Sequence, residues 1–265
     1  MSQALACRAF APLSCRTTLP AELHHAEIFP TAAGLTGRFN GVERRYAMAG
    51  DPFGAAFDAV RDVFAQFAAT ASGDGAYHGA TVAIAGAGTV LLGDATAGKT
   101  LLALHLTAMG GCFYGDETFL FDGENRVVRA MPRLPALREP ALALLPDQAM
   151  RRAVEGALNV AARPGGRLYY ALEPHELCGI APDPSPLPLK NVILLHGRAR
   201  HTRLERLTVN GLLAAFVRRS YVKPADLRAL GRIRAALHGV RGYRLIAGAP
   251  AQTAQLIVKE LTRCT

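Results

Sequence analysis

Residues 1–50 break into short runs of apolar and polar positions, each of strand length. The stretch RFNGVERRYAM sets Asn40-Gly41 between two of them, a pair that favours a two-residue hairpin turn. The period then changes. Asp51-Pro52 opens a segment with Phe53, Phe57, Val60, Phe64 and Phe67 three or four residues apart, which predicts an amphipathic helix with an aromatic core face. Ser72-Gly73-Asp74-Gly75 ends it and marks the expected boundary between a small N-terminal α/β lobe, residues 1–72, and a larger domain, residues 73–265.

In that larger domain, apolar runs at Ala80–Ala85 and Thr89–Leu92 predict two strands joined through Gly86-Ala87-Gly88. A leucine-rich helix follows over Lys99–Met109, then a strand around Cys112–Tyr114 that continues through Thr118–Phe121, and a hairpin signal at Asp122-Gly123 before Val127-Val128. Proline-rich RAMPRLPALREP reads as an ordered surface loop, and Arg163 to Arg167 as a second loop. Strands are expected at Leu168–Leu172, Asn191–Leu195 and Tyr243–Ala247, with helices near 208–219, 224–238 and 250–263. Helices mixed with hairpin-joined strands predict an α/β fold with a mixed sheet.

Composition narrows the function classes. Half of the 265 residues are hydrophobic and 19% are charged, as in a globular protein with a sizeable core. No charge-free apolar run of about 18 residues occurs, so a membrane span is not expected. The first residues, MSQALACRAFAPLSCR, do not read as a signal peptide, and five scattered cysteines form neither a disulfide framework nor a CxxC metal site. The cytoplasm is the expected compartment. The net charge of +9 is concentrated late in the chain: residues 126–265 carry 23 basic and 9 acidic side chains. That half is either a solvated arginine-rich surface or one that steers an acidic partner to a site. Without tryptophan or interleaved aromatic and basic residues, a nucleic-acid partner is not expected.

The chemistry concentrates in GDATAGKT. Gly93, Asp94, Ala95, Thr96, Ala97, Gly98, Lys99 and Thr100 satisfy the phosphate-loop pattern in full, with a strand before and a helix after. The glycines let backbone N–H groups turn inward toward phosphate oxygens, and the helix start adds its positive end. Lys99 is then expected on the β- and γ-phosphates of ATP, with the Thr100 hydroxyl on Mg²⁺. His105, farther along the leucine helix, reads as a packing or surface residue. One helix later come Asp116 and Glu117, which permit a division of labour: one acid holds metal and the other takes a proton from an attacking hydroxyl. His78 stands before the strand that pairs with the one feeding the loop, and the tight turn between those strands lets it approach the acid pair.

His78-Gly79, a strand, a glycine turn, Val90-Leu91-Leu92-Gly93-Asp94, the AGKT motif, a helix, Gly110 and the acid pair together resemble the C-terminal domain of the HPr kinase/phosphorylase family. The resemblance covers about residues 76–122 and extends to related kinases, among them those that phosphorylate precursors in lasso-peptide biosynthesis. It implies a phosphoenolpyruvate-carboxykinase-like P-loop fold with a mixed sheet, and transfer of the γ-phosphate of ATP, with Mg²⁺, to a serine hydroxyl of a small protein or peptide. It also implies that Asp116 is the general base, that His78 partners it and that Glu117 lies on the metal side. Two positions depart from the family pattern. Thr100 replaces a serine and keeps the hydroxyl, whereas Glu117 replaces an aspartate and is one methylene longer, so the two acids can exchange roles.

Phosphoryl transfer also benefits from an arginine near the transferring group. Arg133 in the proline-rich loop and Arg167 in the glycine loop are the chosen candidates, ahead of Arg138 and Arg163. Glu173, His175, Glu176 and Cys178 make a poor zinc set, with one histidine and one cysteine. The competing reading is a regulatory P-loop module that binds nucleotide without phosphotransfer. A homo-oligomer is compatible with the resemblance, with no traceable interface residues.

Overall fold

The computed structural model describes residues 26–31, 34–39, 42–46, 75–130, 136–155, 160–163, 167–171, 185–221 and 227–263. The chain runs β1 (Ala26–Thr31), β2 (Gly34–Phe39), β3 (Val42–Tyr46), β4 (Ala76–His78), β5 (Ala80–Ile84), β6 (Ala87–Gly93), α1 (Lys99–Ala108), β7 (Cys112–Gly115), β8 (Thr118–Asp122) and β9 (Val127–Ala130). It continues through β10 (Ala136–Arg138), α2 (Glu139–Leu142), α3 (Gln148–Glu155), β11 (Val160–Arg163), β12 (Arg167–Ala171) and β13 (Leu187–Arg198). The last elements are β14 (Arg203–Arg206), α4 (Val209–Arg219), α5 (Leu227–Ala236), β15 (Arg241–Ala247) and α6 (Pro250–Thr262). The aromatic helix expected from Asp51, and the boundary expected at its end, lie outside the described residues.

Nine strands make a large mixed sheet in the order β4-β8-β9-β13-β6-β5-β7, with β15 beside β13 and β14 beside β15. Strand β13 is parallel to β6 and β15 and antiparallel to β9. Val90–Leu92 of β6 and Val192–Leu195 of β13 are unbroken apolar runs because both of their faces are covered. On one face Leu91 and Ile193 pack with Leu102, Leu104 and Leu106 of α1 and Ile257 of α6. On the other, Val90, Leu92 and Val192 pack with Leu212 and Phe216 of α4 and Ile233 of α5. Helix α1 is apolar almost all round because it lies inside the molecule. His105 is buried on it and donates from Nε2 to the Leu144 carbonyl at 2.7 Å, which makes it a packing rather than a surface residue.

The mixed sheet agrees with the sequence-based expectation, and its turns refine it. Ile84 pairs with Ala87, so the β5–β6 turn is Ala85-Gly86, one residue earlier than the glycine spacing suggests. Both turn residues have positive φ, 50° and 73°, as a two-residue hairpin with right-handed twist requires. After β8 the turn spans four residues, and the Asp122 carboxylate holds it by accepting from the backbone N–H and the side-chain amide of Asn125. The proline-rich segment, expected as a loop, contains the short strand β10 and the start of helix α2, with Leu137 buried against the α1 side of the sheet. Strands β10, β12 and β11 form a separate three-stranded sheet, as do β1, β2 and β3.

Two pairings position the site. β4 continues into β5 across Gly79, and β7 continues into β8 across Asp116 and Glu117; β4 pairs with β8 and β5 with β7, both antiparallel. Gly79 has to be glycine, because a Cβ there would lie 2.8 Å from the Leu91 carbonyl oxygen and 2.9 Å from the Phe119 ring. The other strand reverses its facing along its length. Phe113 belongs to the core under α1 and Phe119 to the core under α4, although even spacing would keep both on one face of a regular strand. The register slips by one residue between Phe113 and Gly115, opposite Val82 and Thr81, and this bulge reverses the facing; Glu117 then takes φ 67°.

Candidate active site

Strand β6 delivers Gly93 to the edge of the sheet, and the loop from Asp94 to Gly98 carries the chain into α1. The loop is tight: a Cβ on Gly93 would be 3.1 Å from the Ala97 Cβ, and the Ala97 N–H donates to the Asp94 carbonyl at 3.1 Å. Gly98 takes φ 96° and Thr96 takes φ 72°. For a β-branched residue such a backbone costs roughly 1–3 kcal/mol, and strain of this kind clusters at functional loops. No side chain caps the N-terminus of α1 and no acid stands in its first turn, so its positive end is unopposed there.

Lys99 is buried and folds back over the loop. Its Nζ donates to the carbonyls of Gly93 and Asp94 at 3.2 and 3.1 Å and to His78 Nε2 at 2.9 Å. Since Nε2 accepts from an ammonium, the proton of His78 is on Nδ1, which donates to the Glu117 carbonyl at 3.0 Å. Burial, helped by the Lys99 charge, lowers the His78 pKa below its ordinary value, which fits a neutral ring. Burial likewise lowers the pKa of Lys99.

The two acids differ sharply. Asp116 is fully buried; its Oδ2 accepts from the Thr100 hydroxyl at 2.7 Å, and its Oδ1 is buried with no hydrogen-bond partner among the described residues. Burial, and then the charge of Glu117, pushes its pKa up to about 6. Glu117 is one third exposed, with Oε2 3.5 Å from His78 Nδ1. The Thr118 N–H donates to the Asp116 carbonyl at 2.8 Å and closes a three-residue turn around Glu117. The Glu117 carbonyl also accepts from the Gly79 N–H at 3.2 Å and from the Tyr221 hydroxyl at 3.1 Å. This backbone oxygen therefore holds β4, β8 and the end of α4 together at one point.

An unpaired, desolvated carboxylate oxygen beside a hydroxyl is a donor set suited to a hard divalent cation. Mg²⁺ takes few protein oxygens and completes its shell with water and phosphate, so Thr100 and Asp116 fit it. Among the described residues no group of three or more His, Cys, Asp or Glu side chains forms an all-protein metal site.

His78, Lys99, Thr100, Asp116 and Glu117 thus meet in one place. Arg133 lies outside the described residues, as do Glu173, His175, Glu176 and Cys178. Arg167 is described in its backbone alone, opposite Arg163 in the β11–β12 hairpin. The arginines brought to the loop are others: Arg219 Nη1 bonds Asp94 Oδ1 at 2.7 Å, and Arg198 lies near enough to Gly98 that a Cβ there would meet its Nη2 at 3.3 Å. Tyr221 also joins the site, its hydroxyl 3.3 Å from Thr118 Oγ1 and 3.4 Å from His78 Nδ1. Nothing in the sequence near residue 220 ties that segment to a loop about 125 positions upstream. The Arg218-Arg219 pair reads there as an ordinary basic helix end.

No family model and no curated protein matches the chain. Among solved structures, the HPr(Ser) kinase/phosphatase from Coxiella burnetii is similar over 71% of this chain and 97% of its own, with 12% identity and a TM-score of 0.35. Likeness of that degree says nothing about activity. Among the described residues no helix is long and apolar enough to cross a membrane.

Proposed function

We propose that the protein is an ATP- and Mg²⁺-dependent kinase that transfers the γ-phosphate to a hydroxyl, most plainly a serine, of a small protein or peptide. The observation that carries this reading is the juxtaposition around the loop: Lys99 and Thr100 on one wall, and on the other two adjacent acids in opposite environments. A nucleotide-binding module that only senses ATP has no need of a second, partly exposed carboxylate there.

In this reading the acids exchange the roles implied by the family resemblance. Asp116 and Thr100 hold Mg²⁺, whose charge when bound offsets that of the phosphate oxygens. Glu117, outward-facing, is the general base. The loop amides and Lys99 hold the β- and γ-phosphates, and Lys99 exchanges its contacts with loop carbonyls for phosphate oxygens. The acceptor hydroxyl gives its proton to Glu117 while its oxygen bonds to the γ-phosphorus. The bond from that phosphorus to the β–γ bridging oxygen breaks, and ADP leaves with the electron pair. His78 keeps Lys99 and the Glu117 turn in place. The basic second half of the chain favours an acidic acceptor, and a lasso-peptide precursor is one substrate of the proposed class.

The test is direct. Wild-type protein with γ-labelled ATP, Mg²⁺ and a pool of serine-containing peptides, including acidic ones, is expected to label the acceptors. ATP binding without labelling of any acceptor would favour the regulatory module instead.

A further inference from the structure

Arg219 closes α4, and its neighbours dock that helix end onto the site. Ser220 bridges to Tyr77, the Tyr221 N–H donates to the Ala76 carbonyl, and the Tyr221 hydroxyl reaches the Glu117 carbonyl. The Arg219 side chain is therefore carried on a fixed segment and approaches the loop from the wall opposite α1. It is 20% exposed, whereas its partner Asp94 is 83% exposed. A guanidinium has five donors. Here one nitrogen, Nη1, is on Asp94, while Nε is buried with no partner among the described residues. Such an arrangement suits a ligand other than Asp94.

We propose that Arg219 distinguishes a nucleoside triphosphate from a diphosphate in this site, and that Asp94 of the phosphate loop holds it in the free protein. The inference rests on the nucleotide-binding part of the function proposed above and names a specificity-determining residue for it. Its charge is felt at both His78 and Lys99, the two groups that flank the space for a terminal phosphate. An ion pair to an exposed carboxylate is weak. A bidentate guanidinium–phosphate contact in a partly buried site is strong and directional, so a terminal phosphate outcompetes Asp94 for Arg219. Asp94 also places a negative charge beside the phosphate cradle, and Arg219 neutralises it until nucleotide arrives.

Calorimetric titration with ATP and ADP, each with Mg²⁺, tests this on wild-type protein, Arg219→Gln, Arg219→Lys and Asp94→Asn. Arg219→Gln is expected to weaken ATP about tenfold or more and ADP less than twofold. Arg219→Lys should retain part of the preference, and Asp94→Asn should tighten ATP severalfold by freeing the guanidinium. Equal weakening of ATP and ADP in Arg219→Gln would overturn the assignment, as would loss of ATP affinity in Asp94→Asn. If Arg219→Gln fails to fold, the ATP-to-ADP ratio in Arg219→Lys decides. Failure of the wild type to bind either nucleotide would instead overturn the phosphate-loop reading, and Arg219 with it. Absence of phosphotransfer by a wild type that prefers ATP would leave the Arg219 assignment standing and remove the kinase.

Discussion

Glu117 combines a left-handed backbone with a side chain at the mouth of the site, and Asp116 beside it combines full burial with an unpaired oxygen. Each combination has a measurable consequence. A glutamate at φ 67° is strained, and glycine adopts that conformation without penalty. Glu117→Gly is therefore expected to leave unfolding free energy unchanged or raise it by about 1 kcal/mol, in urea denaturation, while abolishing phosphotransfer. For Asp116 the sign follows from a pKa of about 6 in the folded protein against 3.8 for the free group. Between those values the folded state holds the extra proton, so this contribution to stability is full below pH 3.8 and is lost as pH rises through 6. The whole effect is at most about 3 kcal/mol. Asp116→Asn removes it, so the variant should be more stable than wild type at pH 8 and close to it at pH 4 in nucleotide-free buffer. Mg²⁺-dependent nucleotide binding by that variant should be weakened.

At the level of elements, the site is made where two strands break together. The Gly79 break brings β4 to β8, and the bulge between Phe113 and Gly115 turns the other strand toward the second core before the Asp116-Glu117 break, so that His78, Lys99 and both acids converge. Gly79→Ala forces a methyl into the Leu91 carbonyl and the Phe119 ring. It is expected to cost about 1–3 kcal/mol in urea unfolding, and to reduce transfer further than stability accounts for by displacing His78. The sequence made this much legible because the phosphate loop, its flanking strand and helix, and the hairpin that returns His78 are all local patterns. It hid Arg219, Tyr221 and Arg198, since a helix end packs on a distant loop through tertiary contacts that leave no periodic trace. It also hid the reversal of facing within residues 112–122. Neither a β-bulge nor a non-glycine residue at positive φ carries a reliable signature in sequence.

Across the whole molecule, the mixed sheet was readable from helices mixed with hairpin-joined strands, whereas its burial on both faces and its strand order were not. Pairing of β13 with β6, β9 and β15 joins segments about 50 to 100 residues apart, and sequence period says nothing about which strands are neighbours. Charge operates at this scale too. With 23 basic and 9 acidic side chains in residues 126–265, an acidic peptide substrate should show a KM that rises severalfold between 50 and 300 mM salt, while a neutral peptide changes little. In the proposed reaction the partly exposed acid of the pair takes the proton of an acceptor hydroxyl while the loop holds the triphosphate. The most direct test is the rate of γ-phosphate transfer by Glu117→Gln at saturating ATP, alongside ATP affinity. The expected result is a loss of about a hundredfold or more in rate with ATP affinity within about twofold of wild type. Transfer by Glu117→Gln at the wild-type rate would contradict it.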